Sequence, residues 1–283
     1  MNAQSELWEC VEGIPIDSLK SWVRSYSGYS ETTMQVVHRL EVVKSRVVVV
    51  IGFGDKLQLT ATTDRATNVS CQAFAVSLQS SPLLVKHNGV QRCIEIELLP
   101  WVANELFNGA FIDSNEGVID LVDVWGHNVL LLTEQLSELD HWQQRFSLID
   151  RFLSQRASEA RYATRTEIKW VWQQLENSGG CLPIQQLART LGWSDRHLAS
   201  SFRQHIGTTP KAGARRIRFV QAYQQLMSVP SPNLNNIAIS SGYSDQSHFT
   251  REFRLFSGCT PTQYQQACFP NLPGTPASVL QES

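Results

Sequence analysis

Gly242-Tyr243-Ser244-Asp245-Gln246-Ser247-His248-Phe249-Thr250-Arg251-Glu252-Phe253-Arg254 decides how this chain is read, because a looser copy of it stands upstream. Leu187-Ala188 matches Ile237-Ala238, and Gly192-Trp193-Ser194-Asp195 matches Gly242-Tyr243-Ser244-Asp245. Leu198 and Phe202 match Phe249 and Phe253, and Gly207-Thr208-Thr209-Pro210 matches Gly258-Cys259-Thr260-Pro261. The offset is 50 residues up to the Ser-Asp pair and 51 beyond it, so the second copy carries one extra residue. A segment present twice points to one supersecondary unit used twice.

The unit has the chemistry of a helix-turn-helix. Leu187, Ala188 and Leu191 give a short helix an apolar side, and Ala188 is small enough for a second helix to cross closely. Gly192 supplies the sharp turn between two helices. Ser194 or Asp195 is placed to cap the second one, whose Leu198, Phe202 and Ile206 recur every four residues. The opposite face carries Arg196, Ala199, Ser200 and Arg203. In the second copy Phe249, Phe253 and Phe256 face inward, leaving Gln246, Ser247, Thr250, Arg251 and Arg254 outward. Such a face can enter a major groove without burying an unpaired acid. Between the copies, Lys211 to Met227 reads as one linker helix, of roughly 25 Å at ~1.5 Å per residue. A spacer of that length can hold two recognition helices close to one DNA turn apart, roughly 34 Å. The linker is basic at its start, with Arg215, Arg216 and Arg218.

Charge supports that reading only when the chain is divided. The whole carries 24 Lys and Arg against 26 Asp and Glu, a net of -2 that gives no hint of nucleic acid. Residues 1–160 hold 12 basic and 20 acidic residues, a net of -8. Residues 161–267 hold 12 and 5, a net of +7, which suits an anionic partner for that half alone.

The second copy, together with Gly258-Cys259-Thr260-Pro261-Thr262-Gln263-Tyr264 and with Arg218, Ala222 and Leu226 of the linker, resembles the signature of AraC/XylS-type transcriptional regulators. The resemblance covers about 165–266. One position departs from it: Gly213 stands where the family usually has an aromatic, which suggests a looser first turn of the linker helix, since glycine costs ~1 kcal/mol inside a helix. Carried over position by position, the groove-facing residues are Arg196, Ala199 and Ser200 in the first unit and Gln246, Ser247, Thr250 and Arg251 in the second. Arg196 suits guanine and Gln246 adenine. Arg203, Arg215 and Arg254 are placed as phosphate contacts, which set register without reading sequence. The resemblance implies double-stranded DNA as partner, RNA polymerase as a further one, and a small-molecule effector of unknown identity. A monomer and a homodimer both stay open.

The first half reads mostly as strands over 36–125. Val47–Ile51 suits a strand buried on both faces, and Leu57–Ala61, Cys71–Leu78 and Cys93–Leu98 alternate with period two. Cys93, Glu95 and Glu97 share one face of the last, and that face is expected to be solvated. Trp101–Phe107 reads as a short helix. Trp142, Phe146, Ile149 and Leu153 form an amphipathic stripe, followed by polar Ser154–Ser158 and a boundary near 160. Thr164-Arg165-Thr166-Glu167 has capping-box spacing. Leu98-Leu99-Pro100-Trp101 and Gly117–Gly126 resemble an amino-terminal domain of some regulators of this family. The expected fold is therefore α+β: a mixed, strand-rich domain over 1–160 for sensing or dimerisation, an all-α DNA-binding domain of two helix-turn-helix units over 161–267, and a loose tail over 268–283.

Other classes find little support. The 42% hydrophobic and 18% charged composition is that of a globular chain. The longest aliphatic run, Val47–Ile51, is far short of the ~20 residues that cross a bilayer, and the acidic start lacks a secretory leader, so a cytoplasmic protein without a membrane partner is expected. The six Cys form no CxxC pair, and no GxSxG or HExxH is present, so no metal, cofactor or enzymatic activity is expected. Two alternatives remain: a DNA-repair-type enzyme fused to the same module, and a non-specific architectural protein. The first needs an activated thiol in a Pro-Cys-His-Arg context, which Cys10, Cys71 and Cys93 lack.

Overall fold

Alternating apolar and polar residues carry most of the first 120 residues into antiparallel strands. A computed structural model describes residues 7–62, 68–107, 109, 117–160, 163–228, 230, 232–269 and 272–280. Its strands are β1 (Leu7–Gly13), β2 (Val23–Thr32), β3 (Val37–Glu41), β4 (Val47–Gly52), β5 (Leu57–Ala61), β6 (Asn68–Cys71), β7 (Ala73–Val76), β8 (Leu83–His87), β9 (Val90–Leu98), β10 (Val118–Asp120) and β11 (Thr275–Pro276). Among the described residues they form a six-stranded sheet in the order β1-β2-β9-β4-β7-β10 and a five-stranded sheet in the order β11-β3-β8-β5-β6. Every pairing is antiparallel.

β4 is buried along its whole length, as its β-branched run predicts. Val47, Val49 and Ile51 pack beneath helices, while Val48 and Val50 face the second sheet. The alternation over Cys71–Leu78 is split between two strands, because the chain passes from one sheet to the other at Gln72. β1 and the ten-residue β2 lie ahead of the region expected to be strands, and pair from Leu7↔Thr32 to Gly13↔Tyr26.

The helices are α1 (Val102–Leu106), α2 (Leu121–Trp125), α3 (His127–Glu138), α4 (Trp142–Glu159), α5 (Thr166–Asn177), α6 (Ile184–Thr190), α7 (Asp195–Ile206), α8 (Pro210–Ser228), α9 (Leu234–Ser240), α10 (Gln246–Ser257) and α11 (Pro261–Gln266). In α4, Phe146, Ile149 and Leu153 are buried as the stripe requires. The polar stretch Ser154–Ser158 does not end that helix. Arg156 bonds Glu159 at 3.1 Å and lies 5.2 Å from the Phe152 ring centre, so its stem and charge support another turn and a half. Thr164–Glu167 forms no capping box either: Arg165 is the N-cap of α5, without a side-chain bond. Thr164 ties the two halves together instead, its N–H donating to Glu105 Oε1 at 2.6 Å and its hydroxyl to the Trp101 carbonyl at 3.0 Å.

One buried cluster runs from Leu19 through the first sheet to Ile217, taking in Trp172, Leu198 and Phe202 of the first helix-turn-helix. A second joins Leu40 and Val43 of the strand-rich half to Phe219, Phe249 and Phe253. The segment expected to be a loose tail takes part in it. Thr275 and Pro276 pair with Leu40 and Arg39, and Val279 is buried in the second cluster. Extending a sheet edge satisfies backbone groups that composition alone leaves unassigned.

Candidate functional site

Both repeat units fold as their residues dictate. Gly192 and Gly242 take φ of +67° and +78°, a region side chains disfavour. Trp193 N–H returns to the Ala188 carbonyl and Tyr243 N–H to Ala238, both at 2.9 Å, fixing the same turn twice. The caps differ by one residue. Ser194 accepts from His197 N–H at 3.2 Å, whereas Asp245 accepts from His248 N–H at 2.7 Å. The extra residue of the second copy therefore lies in its turn, and Arg196, Ala199 and Ser200 correspond to Ser247, Thr250 and Arg251. Hydrogen bonds from the His248 backbone and the Ser244 hydroxyl hold the Asp245 carboxyl below its usual range. His197 and His248 pack edge-on against Trp193 and Tyr243, at 4.5 and 5.3 Å between ring centres.

The inward residues Leu198, Phe202, Phe249 and Phe253 are fully buried. On the outward faces Arg196, Ser200 and Arg203 of α7 are exposed, as are Gln246, Ser247, Arg251 and Arg254 of α10, with Ala199 and Thr250 half-buried between them. Arg215, which the sequence reading puts at a phosphate, is half-buried and has an acidic partner in the protein. Its Nε donates to Glu252 Oε1 at 2.5 Å, and its guanidinium lies 5.5 Å from the Phe256 ring centre. That pairing turns the one acid of α10 inward. Gly213, the departure from the family pattern, lies buried in a regular first turn, its N–H bonded to the Thr209 carbonyl at 2.9 Å. A Cβ there would stand 3.1 Å from Trp172 of α5, so that indole fills the space an aromatic at 213 would need.

A cavity of about 780 Å³ lies in the strand-rich half. Val48, Val50 and Phe74 of the first sheet and Leu57, Leu83 and Val85 of the second give it apolar walls. Cys93 and Glu95, on the face of β9 expected to be solvated, line this space. Lys44 donates to Glu95 and lies 3.4 Å from Glu97. On β2 and β3 the buried Glu31 carboxylate takes hydrogen bonds from Tyr29 and Arg39, and its Oε1 lies 2.6 Å from His87 Nε2. Burial works against its charge, but His87, Tyr29 and Arg39 outweigh it and hold the carboxyl below the ordinary range.

Sequence reasoning missed how the cavity wall meets the helical half. Val42, Val43, Lys44, Ser77 and Ser80 line it, and Tyr223 of α8 lines it from the other side. Val43 N–H donates to the Phe256 carbonyl at 3.1 Å, near the end of α10. Gln79 Nε2 donates to the carbonyl of Gly207, the C-cap of α7. Arg216 of α8 is 5% exposed and donates to the Lys44 carbonyl at 3.2 Å and to the Ser80 carbonyl. Burial without an anion pulls its guanidinium down to a pKa of about 9. The C-terminal ends of both recognition helices, and the linker between them, are thus held by segments that border one cavity. No local pattern in the sequence marks Lys44, Gln79 or Arg216 for this.

Of the thiols, Cys10, Cys181 and Cys268 are exposed, and Cys71, Cys93 and Cys259 are buried. Burial pushes Cys71 and Cys93 up to about 12, where the reactive thiolate is scarce near neutral pH. Among the described residues no group of three or more His, Cys, Asp or Glu is placed to hold a metal ion, and no helix is long and apolar enough to cross a membrane.

Two helix-turn-helix units around one linker helix define a tandem DNA-binding domain attached to a strand-rich half. Residues 187–267 match the family model described as "Helix-turn-helix domain", and this region of the chain is a domain of the AraC type. Similar stretches occur in the raffinose operon transcriptional regulatory protein RafR of Pediococcus pentosaceus, 31% identical over 90 residues, which are 32% of this chain and 32% of that one. The RCS-specific HTH-type transcriptional activator RclR of Escherichia coli is 33% identical over 96 residues, 34% of each chain. The probable transcription factor PqrA of Proteus vulgaris is 29% identical over 99 residues, 35% of this chain and 80% of that one. The matches to RafR and RclR thus span about a third of those proteins. Over most of its length the chain shares the fold of ToxT from Vibrio cholerae, at 11% identity and a TM-score of 0.50, covering 85% of this chain and 97% of that one. ToxT has also been solved bound to (E)-4-(8-methylnaphthalen-1-yl)but-3-enoic acid, a structure 10% identical with a TM-score of 0.50 that covers 86% of this chain and 98% of ToxT.

Proposed function

We propose that this chain is a sequence-specific DNA-binding transcriptional regulator whose strand-rich half responds to a small molecule. Residues 161–267 read two adjacent major-groove segments, and residues 1–160 form the sensing or dimerisation unit. Arg196, Ala199 and Ser200 face bases in the first segment; Gln246, Ser247, Thr250 and Arg251 face them in the second. Arg203, Arg215 and Arg254 contact phosphates, and Arg215 also steadies α10 through Glu252. The observation that carries this reading is that the exposed faces of α7 and α10 are polar and cationic, while the opposite ends of both helices are bonded to the border of one cavity. ToxT, which shares the fold, has a structure with a small organic acid bound. By the same architecture the cavity here is the effector site, and RNA polymerase is the further partner of a chain acting at promoters.

Footprinting of the full chain on the DNA upstream of its own gene, beside a random fragment of equal length, tests the core claim. Protection of two segments about one helical turn apart, with preference of roughly 10³-fold or more over random DNA, is the expected result. Near-equal affinity for both fragments would instead favour a non-specific architectural protein.

A further inference from the structure

The charges around the cavity indicate what it binds. Arg39 is bonded to Glu31, Lys44 to Glu95 and Glu97, and Arg46 to Glu176. Each cation that lines the space therefore already has a carboxylate partner. Glu41 also lines the cavity, and among the described residues no cation stands within bonding distance of it. It alternates with Arg39 along β3, so both project from the same face of that strand, while Leu40 between them packs in the cluster around Phe253. Glu41 is exposed, and part of its surface lines the cavity. The protein atoms around its carboxyl push it above the usual range; the charge of Lys44 works against this, Glu95 adds to it and Arg39 opposes it. Of the charged residues that line the cavity, Arg39, Lys44, Arg46 and Glu95 are each in an ion pair, and Glu41 is in none among the described residues. A carboxylate enclosed by protein is stabilised by a cation that also donates hydrogen bonds to it, and is opposed by a second anion.

We propose that the cavity takes a small amine with an apolar body, its ammonium group seated between Glu41 and Glu95 and its hydrocarbon part against Val48, Val50, Leu57, Phe74, Leu83 and Val85. This rests on the reading of the cavity as the effector site. The volume is within the ~300–1,000 Å³ usual for small-molecule sites, and the balance of a large apolar wall with a few polar groups is the common one. An ammonium brings three donors and one positive charge, matching two carboxylates of which only Glu95 is already bonded to Lys44. A carboxylic acid of the same body would have to draw Lys44, Arg39 or Arg46 away from the carboxylate it is bonded to, and would meet Glu41 as a second anion.

Calorimetric titration of the full chain with n-octylamine, n-octanol and octanoate compares three heads on one body. The amine is expected to bind at least tenfold tighter than either of the others, and Glu41→Gln to cut amine affinity about tenfold while leaving octanol unchanged. Tightest binding by octanoate overturns the proposal. So does amine affinity indifferent to Glu41→Gln, and so does the absence of binding by all three probes at 1 mM. Thermal unfolding of the Glu41→Gln chain in parallel confirms that it is folded. DNA binding is measured on the same samples without any probe. Loss of sequence preference there sinks the regulator reading and leaves the cavity result standing.

Discussion

Arg216→Met tests how the two halves are held together. Arg216 is buried in α8 with no carboxylate partner among the described residues, and donates to the carbonyls of Lys44 and Ser80. Its pKa falls from 12.5 to about 9 through desolvation. At ~1.36 kcal/mol per tenfold change in proton affinity, that is roughly 5 kcal/mol working against the buried charge. Removing one member of a buried ion pair strands the other charge. Here the uncompensated charge is itself removed, and methionine keeps most of the side-chain volume. What remains is a pair of carbonyls without their donor, at a cost of ~1–3 kcal/mol each. The two effects nearly balance, so stability should fall by no more than about 1 kcal/mol and rise by up to about 3 kcal/mol. In a thermal melt the midpoint should drop by no more than about 4 °C or move up by several degrees, at ~2–4 °C per kcal/mol for a chain of this size. Hydrogen exchange should nonetheless speed up, about tenfold or more, at amides 44–46 and 78–81, where the tie between halves is lost. A midpoint lowered by more than about 5 °C would refute the energy balance. Unchanged exchange in those two segments would refute the tie.

Three further outcomes follow from the same structure. Arg196→Ala should cost ~1–3 kcal/mol on the cognate site and relax preference at one base pair, whereas Arg254→Ala should weaken all DNA alike and flatten the salt dependence by about one unit; competition binding across a salt series separates the two. Gly213→Phe should destabilise the chain by driving an aromatic into Trp172, and Trp172→Ala should recover part of that loss, with a coupling of about 1–3 kcal/mol in a double-mutant cycle; strict additivity would mean that the indole does not occupy the family's aromatic position. The caps should respond differently to acid. The Asp245 carboxyl is held below its ordinary value of 3.8, so its contribution is fully present above that pH and is lost as pH falls through the lower folded value. The Ser194 cap has no such dependence, and its removal in Ser194→Ala should cost ~1 kcal/mol at any pH. Exchange of the His248 and His197 amides between pH 5 and 3 measures this, and parallel behaviour of the two would count against the capping assignment.

The repeat, the turn glycines, the caps and the inward aromatics were all legible in the residues, because each depends on neighbours three to five positions away. The outward set from Arg196 to Arg254 was legible for the same reason, since a helix that buries Leu198 and Phe202 has only one other face to present. The pairing of Arg215 with Glu252 was not, because the two lie 37 positions apart along the chain. The tail was read as loose from its prolines and glycine, yet it closes an edge of the second sheet beside β3.

By itself, then, the sequence determined a tandem helix-turn-helix with cationic outer faces, preceded by strands and carrying opposite net charges in its two halves. Those properties follow from periodicity, turn stereochemistry and composition, which act over short stretches of chain. Only the tertiary structure decided that Glu95 and Glu97 meet Lys44 at the wall of a cavity, that Glu41 forms no ion pair among the described residues, and that Arg216, Val43 and Gln79 bind that wall to the linker and to both recognition helices. These contacts join residues 51 to 213 positions apart. Such pairings are set by how two sheets and a helical domain pack together, and local residue preferences carry no record of them.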